Sequence, residues 1–102
     1  MEPILLGLGT NLGARAANLV AALDALAAGL TLAARSSVWE TAPMHVLDQP
    51  AFLNMVVLAH GPADLDPHAL LARLKALESD LGRVASVRYG PRLIDVDILA
   101  VG

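Results

Sequence analysis

Asp95-Val96-Asp97 sets two carboxylates two positions apart inside an apolar run from Leu93 to Leu99. Residues two apart on a strand share a face, so the acids stand roughly 6–7 Å apart at their backbones. They repel each other, and burying both costs several kcal/mol unless a cation neutralises them. Strand interiors are also normally poor in Asp. Magnesium suits such a pair, because it takes hard oxygen ligands and leaves part of its shell to substrate phosphates. The plain alternative is a solvent-facing edge strand in which Val96 and Ile98 turn inward and the acids do nothing. Arg92 stands just before the pair, with Arg83 and Arg88 in the same loop. Guanidinium forks clamp phosphates. Acids with arginines therefore suggest phosphoryl transfer, which needs neutralised charge and positive clamps but little covalent work from the protein. Surface ion pairs between Arg92 and the aspartates are the competing reading.

A second constellation is Phe52 with Asn54, which share one face of a strand and offer an aromatic plane beside an amide. A flat heterocycle fits there, although a core Phe and a turn-proximal Asn explain the same residues. Gly7-Leu8-Gly9-Thr10-Asn11-Leu12-Gly13 has the look of a dinucleotide fingerprint. Its last glycine comes one residue too late and no acid ends the next strand, so it reads as a tight strand-to-helix turn. His45, His60 and His68 lack metal-ligand spacing, which argues against zinc.

These groups need elements to hold them. Pro3 to Leu8 reads as a buried strand that ends at the glycine run. Leu19, Leu23, Leu26 and Leu30 then mark a first helix, with Gly29 as its left-handed stop. Leu32 to Glu40 is β-prone at Ser37-Val38-Trp39 and breaks at Thr41-Ala42-Pro43. Phe52 to His60 reads as a long strand closed by Gly61-Pro62. Asp66-Pro67 opens a second helix, lined by Leu70, Leu74, Leu77 and Leu81 and stopped by Gly82. Arg83 to Pro91 is a charged, glycine-containing loop before the last strand. The order βαββαβ predicts an α+β, ferredoxin-like sandwich, an antiparallel-rich sheet with two helices on one face.

The chain has 102 residues, the size of one domain, and 56% of them are hydrophobic but only 3% aromatic, which implies a mostly aliphatic core. It has no cysteine, so disulfides and thiolate metal sites are excluded and a cytoplasmic setting is expected. Met1-Glu2-Pro3 lacks the basic start of a signal peptide, and Asp24 interrupts the most apolar stretch, Leu19 to Leu32. Secretion and membrane insertion are therefore not expected. A net charge of −3 argues against nucleic acid as a partner. The cluster of Lys75, Arg83, Arg88 and Arg92 instead suits a small polyanion or a solvated loop.

Five ordered segments together resemble the 6-hydroxymethyl-7,8-dihydropterin pyrophosphokinases of folate biosynthesis. They are Gly7 through Gly13, Ser36-Ser37-Val38-Trp39-Glu40-Thr41-Ala42-Pro43, Asp48-Gln49-Pro50-Ala51-Phe52-Leu53-Asn54, Glu78 through Arg83, and Gly90 through Leu99. The resemblance implies transfer of the β,γ-pyrophosphate of ATP to the hydroxymethyl group of a reduced pterin, with release of AMP. It implies that Asp95 and Asp97 bind two magnesium ions and that Arg83 and Arg92, with Arg88 near them, steady phosphate charge. Ile98 and Leu71 would line an adenine pocket, with Glu78 near the nucleotide. Phe52 would stack on the pterin and Asn54 would bond its edge, joined by backbone around Thr41, Pro43 and Met44. Tyr89 takes a family tryptophan's place, Ala85 that of a loop arginine and Ala42 that of a proline. Segments 13–15, 44–49 and 84–90 would be lids that exclude water. The family normally continues past the acid pair, so residues 1–102 read as one pyrophosphokinase-like domain that stops early, by truncation or as a short variant. The lost segment would carry a Pro-His motif, a phosphate-binding arginine and a second pterin-facing aromatic.

Three readings stand side by side: an active pyrophosphokinase, a pterin- or nucleotide-binding remnant, and a ferredoxin-like association module. One double substitution, Asp95→Asn with Asp97→Asn, separates the association module from the other two. A metal site loses magnesium-nucleotide binding in a calorimetric titration, whereas a structural module is unaffected or gains stability.

Overall fold

The computed structural model describes residues 2–42, 49–82 and 93–102. Strand β1 (Glu2–Thr10) leads into helix α1 (Arg15–Ala27), then β2 (Thr31–Arg35), β3 (Trp39–Thr41), β4 (Phe52–Gly61), helix α2 (Pro67–Asp80) and β5 (Asp95–Val101). The strands form one antiparallel sheet in the order β2-β4-β1-β5, with β3 beside the other end of β4. This is the expected α+β, ferredoxin-like arrangement with one edge strand broken in two.

The sheet is two-faced because β1 is. Ile4, Leu6 and Leu8 point to one side and are buried, together with Met55, Val57 and Ala59 of β4 and Val96 of β5. Both helices cover that side, α1 through Leu19, Ala22 and Leu26 and α2 through Leu70 and Leu74. At about 25 cal/mol per Å² of apolar surface removed from water, this aliphatic layer is the main source of stability. The other side of β1 carries Gly7 and Gly9.

Helix α2 starts as its sequence dictates. Asp66 accepts a hydrogen bond from the His68 N–H at 3.1 Å, Pro67 fills the first helical position, and Gly82, at φ +91°, ends the segment. Four local expectations are corrected. Gly29 does not adopt a left-handed cap, since α1 ends at Ala28 in right-handed geometry. The Arg73 guanidinium from α2 crosses over Gly29, so a side chain there would displace the end of the flexible Arg73. Strand β1 does not stop at the glycine run but passes through Gly7 and Gly9 to Thr10, because the buried Leu8 and Thr10 continue its inward face. The strand expected around Ser37 is the gap between β2 and β3. There Ser36 replaces regular pairing: its N–H donates to the Val56 carbonyl at 2.8 Å and its hydroxyl accepts from the Val56 N–H at 2.8 Å. The last strand begins at Asp95 rather than Leu93 and runs on to Val101.

The outer edge of β5 is secured by a buried acid. Glu78, on α2, is only 1% exposed, and its Oε2 accepts the Val96 N–H at 2.7 Å while its Oε1 lies 3.3 Å from Lys75 Nζ. Lys75 is half-exposed, so the ion pair adds little. The hydrogen bond that Glu78 accepts in the interior is the larger contribution. Glu78→Ala is expected to lower the unfolding free energy by about 2–4 kcal/mol through a lost buried acceptor and a small void, read from urea denaturation. Glu78→Gln, which keeps an acceptor oxygen, should lose clearly less.

Candidate functional site

The face of the sheet away from the helices carries a shallow trough of about 260 Å³ whose lining includes Trp39, Phe52, Asn54, Asp95, Asp97 and Leu99. Strand register explains its shape. Trp39 pairs with Asn54, Asn54 with Gly9, and Gly9 with Asp95, so one row crosses four strands. The next row runs from Val56 through Gly7 to Asp97. In both rows the middle residue has no side chain. With strands about 4.8 Å apart, Asn54 and Asp95 face each other across a gap of roughly 10 Å floored only by backbone. A Cβ on Gly9 would lie 3.5 Å from Asn54 Oδ1 and 3.7 Å from Phe52 Cδ1, and one on Gly7 would meet Leu99 Cδ1 at 3.3 Å. The glycines therefore create the trough.

Each wall is held from outside. On one side the Asn54 amide nitrogen donates to Thr41 Oγ1 at 2.9 Å and to the Trp39 carbonyl at 3.3 Å. Its nitrogen is thus tied to β3 while its oxygen is turned toward Gly9. On the other side Asp95 is half-buried and Asp97 exposed, with Val96 between them turned into the core. The pair lies on the edge strand, fixed from behind by Glu78.

Three residues join these walls: Asn11 and Asn18, to which the sequence assigned no role, and Arg15, expected within a lid at 13–15 and found as the first residue of α1. Asn18 Nδ2 donates to Leu12 O at 2.8 Å, Thr10 Oγ1 at 3.1 Å and Leu93 O at 3.3 Å, binding the end of β1 to the approach of β5. The buried Asn11 donates to Gln49 Oε1 at 2.7 Å and to Pro50 O at 3.0 Å. Arg15 Nη1 donates to Glu40 Oε2 at 2.8 Å and to Ala51 O at 2.7 Å. The signal available in sequence was only that polar residues crowd a short turn.

The structure brings Phe52, Asn54, Asp95 and Asp97 to one trough and sets Thr41 against Asn54. It does not bring Leu71, Ile98 or Glu78 there. Leu71 is exposed on α2 and Ile98 packs against the core on the helix side. The Glu78 carboxylate lies inside the protein, holding β5. Its place was legible, because it extends the buried line Leu70, Leu74 by one more helical turn. Pro43, Met44, Arg83, Arg88, Tyr89 and Arg92 lie outside the described residues.

Among the described residues no cluster of three or more metal-ligating side chains occurs. Two carboxylates on one strand face are still a sufficient protein contribution for magnesium, which keeps waters and uses substrate phosphates rather than a full protein cage. The donor set fits that ion and not a structural zinc. No helix among the described residues is long and apolar enough to cross a membrane.

Comparison with known proteins agrees with this geometry. The family described as 7,8-dihydro-6-hydroxymethylpterin-pyrophosphokinase (HPPK) matches residues 5–102. The mitochondrial folate synthesis bifunctional protein of Pisum sativum is 46% identical over 102 residues, covering 99% of this chain and 19% of its own length. The 2-amino-4-hydroxy-6-hydroxymethyldihydropteridine pyrophosphokinase of Methylorubrum extorquens is 45% identical, covering 98% of this chain and 63% of its own. The enzyme of that name from Mycobacterium tuberculosis is 39% identical, with 98% and 52% covered. The chain thus spans between a fifth and two thirds of these relatives. With a family match over nearly its whole length, and a glycine-floored trough between Asn54 and Asp95, the chain belongs to the 7,8-dihydro-6-hydroxymethylpterin-pyrophosphokinase family.

Proposed function

We propose that this chain transfers the β,γ-pyrophosphate of ATP to 6-hydroxymethyl-7,8-dihydropterin and releases AMP, as a domain of a folate-forming enzyme. The observation that carries the reading is the row Trp39–Asn54–Gly9–Asp95, which sets a heterocycle-sized wall opposite an acid pair across a bare floor. In the reaction the hydroxymethyl oxygen bonds to the β-phosphorus, the bridge to the α-phosphate breaks, AMP leaves, and the hydroxyl proton passes to solvent.

The side chains divide the work. Phe52 offers a ring face to the pterin, and Asn54 presents an oxygen, its nitrogen being engaged by Thr41 and Trp39. A fixed acceptor suits the amino and ring N–H donors of a pterin and discriminates against rings that present only acceptors. Backbone at Thr41, Pro43 and Met44, together with Tyr89, would complete that pocket. Asp95 and Asp97 would hold magnesium, which, when bound, neutralises phosphate charge and polarises the phosphorus under attack. Arg83, Arg88 and Arg92 would orient the triphosphate, and Leu71 and Ile98 would meet the adenine beyond the β5 edge. Glu78 takes no ligand in this scheme. Two substrates on one rigid face turn a three-body encounter into positioning, from which most of the acceleration in such transfers comes. A chain without cysteine suits a reducing compartment, and the cytoplasm is the setting proposed.

AMP release from ATP and magnesium should depend on added pterin and fall by at least about a hundredfold in Asp95→Ala. Silence in both chains, with magnesium-ATP still bound, would mean binding without turnover. Gly9→Ala tests the floor separately. Its methyl group makes only ordinary contacts and strand glycine is itself unfavourable, so stability should hold or rise by up to about 1 kcal/mol. Pterin affinity should drop about tenfold or more by calorimetry, because the methyl group occupies the trough.

A further inference from the structure

We propose that Arg15 is a positioning residue for the heterocycle wall, clasping the two strands that carry it at the end where the chain connects them. Strand β3 is only three residues long, Trp39–Thr41, and all three are exposed. It pairs with β4 through Trp39–Asn54, Glu40–Leu53 and Thr41–Phe52, the last pair before the connection between the two strands. So short an edge strand holds poorly by its own ladder. It is nevertheless what fixes Asn54, through Thr41 Oγ1 and the Trp39 carbonyl.

Arg15, the first residue of α1, reaches both strands at that end with one guanidinium nitrogen. Its Nη1 donates to Glu40 Oε2 on β3 at 2.8 Å and to the carbonyl of Ala51, the residue before β4, at 2.7 Å. Asn11, just after β1, donates to Gln49 Oε1 and Pro50 O, so with Arg15 on Ala51 three successive residues ahead of Phe52 are gripped from the β1–α1 turn. Arg15 is about one third exposed and Glu40 about half, which makes the pair a weak source of stability. Its value is geometric: it sets the spacing of Thr41 and Phe52, and through Thr41 the direction of the Asn54 amide. The acid-pair wall hangs on other contacts, Glu78 to Val96 and Asn18 to Leu93. The clasp therefore acts on one substrate side and not the other.

This inference rests on the pterin reading of the trough, and one experiment separates the two. Trp39 is the sole tryptophan of the chain and sits on β3, so its quenching by acrylamide reports on that strand without any ligand. In Arg15→Ala the quenching constant should rise about twofold or more, pterin affinity by calorimetry should weaken about tenfold, and magnesium-ATP affinity should stay within about twofold. Arg15→Lys should recover part of the pterin affinity, and Glu40→Gln should lose part of it. Unchanged quenching and unchanged pterin affinity in Arg15→Ala would overturn the clasp, as would equal weakening of both ligands in step with lost stability. If the parent chain binds no pterin, the functional reading fails, while the Trp39 measurement still decides whether Arg15 holds β3.

Discussion

Everything in this domain hangs on the double character of β1. One face must be greasy enough to seat two helices, and the other must be bare enough to leave a trough. The alternation Ile4, Leu6, Leu8 against Gly7, Gly9 meets both demands within six residues, since strand side chains alternate with period two. A shift of one residue would put glycine in the core and leucine in the trough, losing fold and site together. Pairing with β4 on one side and β5 on the other pins that register.

The glycines also show where sequence reasoning slips. Gly7 and Gly9 looked like the start of a turn, because glycine usually punctuates. The chain continues extended through them because both glycines are paired with β4 on one side and β5 on the other, and Leu6, Leu8 and Thr10 between and beyond them keep the inward face buried. Only Gly13, at φ +72°, behaves as the turn expectation required. Helix α2, by contrast, was readable from local chemistry alone: an Asp cap, a proline at the first position and a left-handed glycine at the end.

The ends of the trough were legible as residue types, since an Asp-x-Asp strand and a Phe-x-Asn strand each declare a face. Their juxtaposition was not, because it depends on which strand lies between them. Asn11, Arg15 and Asn18 were harder still to read. Each also bonds a backbone carbonyl dozens of residues away, at Pro50, Ala51 or Leu93, and a side chain that bonds backbone imposes no residue type on its partner. Glu78 is the intermediate case. An acid in the buried line of a helix is a visible anomaly, and fold geometry supplies its reason in the Val96 amide. Physically, such an acid is tolerated in the interior because polar partners meet it, the Val96 N–H and Lys75 among them.

The pairing of β1 with β5 also bears on the order in which the molecule is made. Gly9 and Asp95 stand 86 positions apart, yet they are neighbours in the sheet. Loop closure over that span is entropically costly and makes for a slow, non-local folding step. On the ribosome β1 must wait, with its β5 side open, through the synthesis of both helices and β4. Until β5 arrives, the bare glycine strand has an unpaired edge that invites foreign strands. Chaperone binding to the nascent chain should therefore concentrate on the interval before the Asp95–Val101 strand emerges. The carboxylates come with the same strand that closes the sheet, so no partly made chain presents the acid pair beside a finished trough.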